Sequence, residues 1–144
     1  MTLVDAARIY LGVPFRHRGR NPERGLDCAG LVVRAYTAVG VDVPDFTHYG
    51  REPFRNGLEQ RLEHALGPAI VQAPVNQEDL MDCDVIVFRF HINPHHLAIV
   101  AAVEYDGVAT FNVIHADGLN GRVVECRLTP DMLKRVTHVY RRAV

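Results

Sequence analysis

Apolar residues recur at helical spacing twice near the start of the chain: at Leu3, Ala6, Ala7 and Tyr10, and again at Leu31, Val32, Ala35, Tyr36 and Val39. Both runs fit one face of a 3.6-residue helix. The first predicts a helix over 2–11. Thr2 caps it, Asp5 completes a short capping box, and Gly12 and Pro14 end it. The second predicts a helix that opens at Asp27 or Cys28 and stops at Gly40. The Asp27 carboxylate can accept the open backbone N–H groups of that first turn. Between the two, 15–25 is basic and polar, and its glycines and Pro22 predict no regular structure. The stretch 41–56, with Pro44, Gly50 and Pro53, reads the same way. Leu58, Leu62 and Leu66 mark a short third helix stopped by Gly67-Pro68.

After Asn76 the pattern changes. Segments 84–90, 96–103, 108–115 and 122–128 are rich in valine, isoleucine and phenylalanine and read as strands. Residues 70–75 fit either a short strand or an extended loop. Asp106-Gly107 is a hairpin turn between the second and third of these segments, and 118–121 separates the third from the fourth. Thr129-Pro130 predicts a capped helix to about Lys134, and 136–141 a last strand. Helices first and an antiparallel sheet afterwards make an α+β domain.

Composition narrows the function. The chain has 144 residues, 16.1 kDa and 48% hydrophobic residues, enough for one domain over 1–144 with its own core. Sixteen basic residues against seventeen acidic give a net charge of −1, so the overall balance makes no case for nucleic acid or an anionic membrane. The longest apolar run falls far short of the ~20 residues that cross a bilayer. No basic segment leads into an apolar export signal, so the expectation is synthesis in the cytoplasm without membrane insertion. Cys28, Cys83 and Cys126 are odd in number and lack close CxxC spacing, so reduced thiols are expected. Cys83 and Cys126 read as core or sheet cysteines. His91, His95 and His96, with His115 or Asp117, look metal-like. Pro94 breaks that geometry, and adjacent strand residues point to opposite faces. No metal and no cofactor are expected.

Cys28 is the sharpest feature. It falls in the first turn of a predicted helix, where open amides and the helix dipole favour thiolate. The basic loop before it adds positive potential, and small Ala29 and Gly30 leave room beside the sulfur. A thiol nucleophile needs a base, and the base an orienter. His96 opens one predicted strand and His115 closes the next. A hairpin about Asp106-Gly107 sets position 96 near 117, which brings His115 to the same end of the sheet.

The stretches Leu11-Gly12-Val13-Pro14-Phe15, Gly25-Leu26-Asp27-Cys28-Ala29-Gly30-Leu31-Val32, His96-Leu97-Ala98-Ile99-Val100 and Ile114-His115-Ala116 resemble, in order and interval, the NlpC/P60 cell-wall peptidases. The resemblance covers nearly the whole chain. It implies a compact papain-like fold, with Cys28 as nucleophile, His96 as general base and His115 as orienting residue. It also implies hydrolysis of peptide bonds in bacterial peptidoglycan, after D-glutamate at the diamino acid. The C-terminal end looks most like the phage tail-assembly or gene-transfer branch, so phage tail proteins are expected partners. The chain departs from the family pattern at several places. Ala29 stands for the usual serine, and Cys83-Asp84 for the usual Gly-Asp. Phe15 stands where a tyrosine hydroxyl often assists the substrate or oxyanion, and His17 lies where an aromatic residue is common. With Phe15 unable to donate, His17 or the Cys28 N–H is expected to hold the oxyanion. Asp27 belongs to the substrate side of the site, and Arg16, Arg18 and Arg20 are expected to bind carboxylates of an acidic peptide. Loss of the hydroxyl keeps open an inactive tail component, and an amidase or other acyl-transfer enzyme fits the same residues.

Overall fold

The computed structural model describes residues 1–45, 57–90 and 96–144. The capping box at the N-terminus forms as the sequence predicts: Asp5 N–H donates to Thr2 Oγ1, and Thr2 N–H donates to the Asp5 carboxylate. It opens helix α1 (Leu3–Ile9), whose Leu3, Val4, Ala6 and Ala7 are buried. Helices α2 (Cys28–Ala38), α3 (Leu58–Leu66) and α4 (Pro130–Lys134) lie close to their predicted spans. The predicted irregular stretch 41–56 falls within the described residues only as far as Asp45.

The segment 15–25 differs from expectation. It carries two short strands, β1 (Arg20–Asn21) and β2 (Gly25–Leu26), paired antiparallel. Local propensity gives no sign of them. They form because Leu26 N–H donates to Pro14 O and Arg16 N–H to Leu26 O, so the loop is stitched to the segment before it. That segment in turn runs along a sheet edge: Gly12 N–H donates to Val123 O, Val123 N–H to Val13 O, and Phe15 N–H to Gly121 O.

The main sheet has strands β3 (Val71–Gln72), β4 (Val85–Phe88), β5 (His96–Tyr105), β6 (Val108–Asp117), β7 (Arg122–Arg127) and β8 (Val136–Tyr140). Their spatial order is β3-β8-β4-β5-β6-β7, and every neighbouring pair is antiparallel. Thus residues 70–75 supply a short edge strand, and β8 inserts beside β4. Asp106 and Gly107 both take positive φ, 50° and 80°, in the two-residue turn between β5 and β6.

Side chains alternate across the sheet. On one face Leu97, Ile99, Ala101, Ile114 and Ala116 pack against Leu3, Ala7, Leu31, Val32 and Ala35 of α1 and α2. On the other, Ile86, Phe88, Ala98, Val100 and Val113 form a second core, covered by Val75, Leu80, Leu128, Met132 and Leu133. Two local features brace the start of β4. Cys83, where the resembled family has glycine, takes a left-handed φ of 73°. Asp84 is wholly buried and accepts two hydrogen bonds from Arg141, at 2.7 and 2.8 Å.

Candidate active site

Cys28 is the first residue of α2, and Asp27 is its N-cap, as the sequence predicts. The Asp27 carboxylate is buried and fully engaged. It accepts from Gly30 N–H at 2.8 Å, from Arg18 N–H at 2.9 Å and from Arg20 Nη1 at 2.9 Å. Arg20 also pairs with Asp45 through Nε at 3.0 Å. Arg20 therefore braces the helix start instead of offering its charge to a ligand, and Asp27 faces the protein. Arg16 and Arg18 are exposed, and His17 is half-buried.

The expected room beside the sulfur is only partly there. A Cβ placed on Gly30 would lie 2.0 Å from Gly19 O, and one on Gly19 would lie 2.3 Å from Gly25 O. These glycines let the β1–β2 loop close onto the first turn of α2. The space that a larger residue at 30 would fill belongs to the protein's own backbone. Phe15, brought in along the β7 edge, is half-buried, and a Cβ placed on Gly118 would lie in ordinary contact with its ring, at 3.8 Å.

A gap in the sheet brings strand and helix together. Tyr105 and Val108 flank a two-residue turn, so odd-numbered residues of β5 direct their backbone groups at β6. The β5–β6 ladder reaches Ile99–Ile114 and ends there. The N–H of Leu97, the next group in that series, is directed at the Cys28 sulfur. The thiol thus meets the strand one residue from His96.

His96 and His115 come together as the hairpin predicts. His96 Nε2 lies 2.6 Å from His115 Nδ1, and the two rings meet nearly edge-on at 83°. Phe88 and Phe90 flank the His96 ring at centroid distances of 6.1 and 5.6 Å. His115 is buried, and burial lowers its pKa from the ordinary imidazole value against the opposing pull of Asp117. A third side chain joins this line: Cys126 Sγ lies 3.7 Å from His115 Nε2. Of the two readings the sequence left for Cys126, core or sheet, it is a sheet cysteine: it lies in β7 and is exposed. Its place follows from the register, since Val113 pairs with Cys126 and His115 with Val124, which sets Cys126 on the same face as His115. The sequence carries strand signals for β6 and β7 but not their register, and without it this neighbour is invisible. A Cys126–His115–His96 cluster of this kind fits a cysteine-peptidase active site.

The thiol at 28 departs from expectation. Its pKa is pushed up to about 12, first by burial and then by the Asp27 charge, with the Leu97 and Ala29 N–H groups and Arg20 opposing. The helix-end effect is outweighed first because the sulfur is buried, and then because the group that caps the helix is itself an anion beside it. Cys28 alone is therefore a thiol at neutral pH, and any activation needs a partner to take its proton. His91 and His95 lie outside the described residues. Among the described residues, no three His, Cys, Asp or Glu side chains are grouped to hold a metal ion. No described helix is long and apolar enough to cross a membrane.

Comparison with known proteins bears on the whole domain. No curated protein sequence matches the chain. Among solved structures, it is similar to the NlpC/p60 domain of the peptidoglycan hydrolase SagA, with a TM-score of 0.60 at 18% identity over 97% of this chain and 96% of that one. A Staphylococcus aureus protein described as similar to lipoprotein, NLP/P60 family, gives 0.59 at 18% identity over 97% of this chain. The present chain spans 40% of that protein's length. At these identities the likeness is one of fold. The model of the NlpC/P60 family itself matches residues 12–142, from the segment that stitches the loop to β7 through the last strand, and the chain belongs to that family.

Proposed function

We propose that this domain is a cysteine peptidase that hydrolyses peptide bonds in bacterial peptidoglycan stem peptides, between a D-glutamyl residue and a diamino acid. Cys28 is the nucleophile, His96 the base and His115 its orienter. The observation that carries the reading is the joint placement of the strand end: Leu97 N–H at the Cys28 sulfur, and His96 Nε2 at 2.6 Å from His115 Nδ1. His96 takes the thiol proton as the sulfur attacks the scissile carbonyl, then gives it to the leaving amine. The acyl–sulfur bond is cut by water, whose proton passes to His96 and back to the sulfur. The Cys28 N–H, with His17 beside the loop, holds the oxyanion. Exposed Arg16 and Arg18 meet the substrate carboxylates. Partners of the phage tail type would carry the domain to the wall.

The experiment is cleavage of defined murein peptides, read by mass spectrometry, for the native protein and Cys28→Ala in parallel. A product made only by the native protein is expected, and its mass names the bond. Equal hydrolysis by the alanine variant would overturn the reading.

A second reading has one observation behind it: Cys126 also touches the histidine pair. Its sulfur sits within strand β7, away from any helix N-terminus, and the contact is long. Turnover that survived Cys28→Ala and vanished in Cys126→Ala would favour it.

A further inference from the structure

We infer that Cys126 is a positioning residue that fixes the tautomer of His115 and, through it, that of His96. The inference rests on Cys28 and His96 acting as proposed above. It starts from counting protons along the line His96, His115, Cys126.

A neutral imidazole carries one N–H and one lone pair. Only one proton can lie between His96 Nε2 and His115 Nδ1, which are 2.6 Å apart. If that proton belongs to His96 Nε2, then His96 Nδ1 has the lone pair that a general base requires. His115 Nδ1 then accepts, and the proton of His115 must sit on Nε2. If the shared proton instead belongs to His115 Nδ1, then His96 Nε2 accepts and its Nδ1 carries the hydrogen. In that state His96 has no lone pair left for the thiol.

The choice falls to whatever faces His115 Nε2. That atom points at Cys126 Sγ, 3.7 Å away, from a ring that is itself buried. A buried N–H needs an acceptor, and the sulfur is one. Burial, with the charges of Asp117 and Glu125, raises the Cys126 pKa, so it acts here as a neutral thiol and not as a competing thiolate. Its own S–H is free to turn toward solvent on the exposed side of β7. A neutral thiol could also donate to a bare Nε2, but its exposed S–H has solvent as an alternative acceptor while the N–H of the buried ring faces the sulfur. The Nε2–H form of His115 is therefore favoured, and the productive form of His96 follows. During catalysis the His96 imidazolium keeps Nε2–H donating to His115, so the same arrangement serves both protonation states.

The test uses nitrogen-15 imidazole spectra of the native protein, Cys126→Ser and Cys126→Val at neutral pH, together with their turnover of the peptide that the native protein cleaves. The native His115 is expected as the Nε2–H tautomer. Serine keeps an acceptor and should preserve both that signature and most of kcat. Valine keeps the shape, removes the acceptor, and should mix the His115 tautomers and lower kcat roughly tenfold with KM unchanged. A valine variant with native His115 shifts and native kcat would overturn the inference. Loss of all turnover in both variants would overturn it too, by making Cys126 a reacting group. The spectra need no turnover, so they decide the tautomer question even if Cys28→Ala shows the proposed mechanism to be wrong.

Discussion

The two faces of the main sheet are built to different rules. On the helix side, Leu97, Ile99, Ala101, Ile114 and Ala116 are all essentially dry beneath α1 and α2, and the polar groups of that face are tied to one another, Asn112 to Tyr105 and Glu125, and Glu125 to Arg8 of α1. The opposite face has an equally dry centre in Ala98, Val100 and Val113, but it ends in His96, His115 and Cys126. Its cover comes from different elements: Met132 and Leu133 of the short helix α4 and the segment around Val75 and Leu80. The imidazoles are tolerated at that end because they are partnered, His96 with His115 and His115 with Cys126. The groups proposed to react thus arise on opposite sides. The thiol arrives on a helix from one face and the imidazoles stand on the other, and the thiol touches the strand where the β5–β6 ladder stops and leaves Leu97 N–H, next to His96, for the sulfur.

That comparison can be broken at its meeting point first. His96→Ala should lower peptide turnover on the order of a thousandfold, the scale of a lost general base. The same variant should slow labelling of Cys28 by iodoacetamide at pH 7, because a thiol whose pKa is pushed up to about 12 forms little thiolate there without a base to take its proton. Unchanged labelling, followed by mass spectrometry, would show that the imidazole does not activate it.

Next come the faces themselves. Ile99→Ala on the helix side should cost about 3 kcal/mol in urea unfolding, since the pocket is sealed and cannot collapse. Val124→Ala on the other face, half-buried beside His115, should cost about 1 kcal/mol. Equal losses would erase the distinction between a sealed face and a partly open one. Gly30→Ala probes the helix end: its new Cβ would meet Gly19 O at 2.0 Å, so backbone must move. A loss of about 2 kcal/mol is expected, with turnover falling although no ionisable group has changed. Native stability and rate in that variant would refute the close approach.

The smallest effect is a pH dependence. Burial holds the folded pKa of His115 below the ordinary 6.5, with Asp117 opposing and His96 and Cys126 as its ring neighbours. The unfolded chain then binds the proton more readily than the folded one, so stability is full above 6.5 and declines as the pH falls below it. His115→Asn should flatten that decline in urea melts between pH 7.5 and 5.5. An identical slope would place the effect elsewhere.

Local chemistry made much of this legible in the chain itself. Helix ends are decided within a few residues, so the Thr2–Asp5 box, the Asp27 cap over Cys28 and the Thr129-Pro130 start could be read directly. The Asp106-Gly107 turn fixed the β5–β6 register, because a two-residue loop leaves the flanking strands one pairing, and that register joins His96 to His115. What needed the tertiary structure depends on groups distant in sequence. The β1–β2 pair exists only through contacts with the segment before it. The Gly30 position is filled by the Gly19 carbonyl, where the sequence suggested open space. Arg20 is spent on Asp27 and Asp45, and Cys126 reaches His115 through a β6–β7 register that no short turn specifies. The thiol pKa is the clearest case: the helix end visible in the sequence favours thiolate, but burial and the capping carboxylate, both products of the assembled fold, outweigh it.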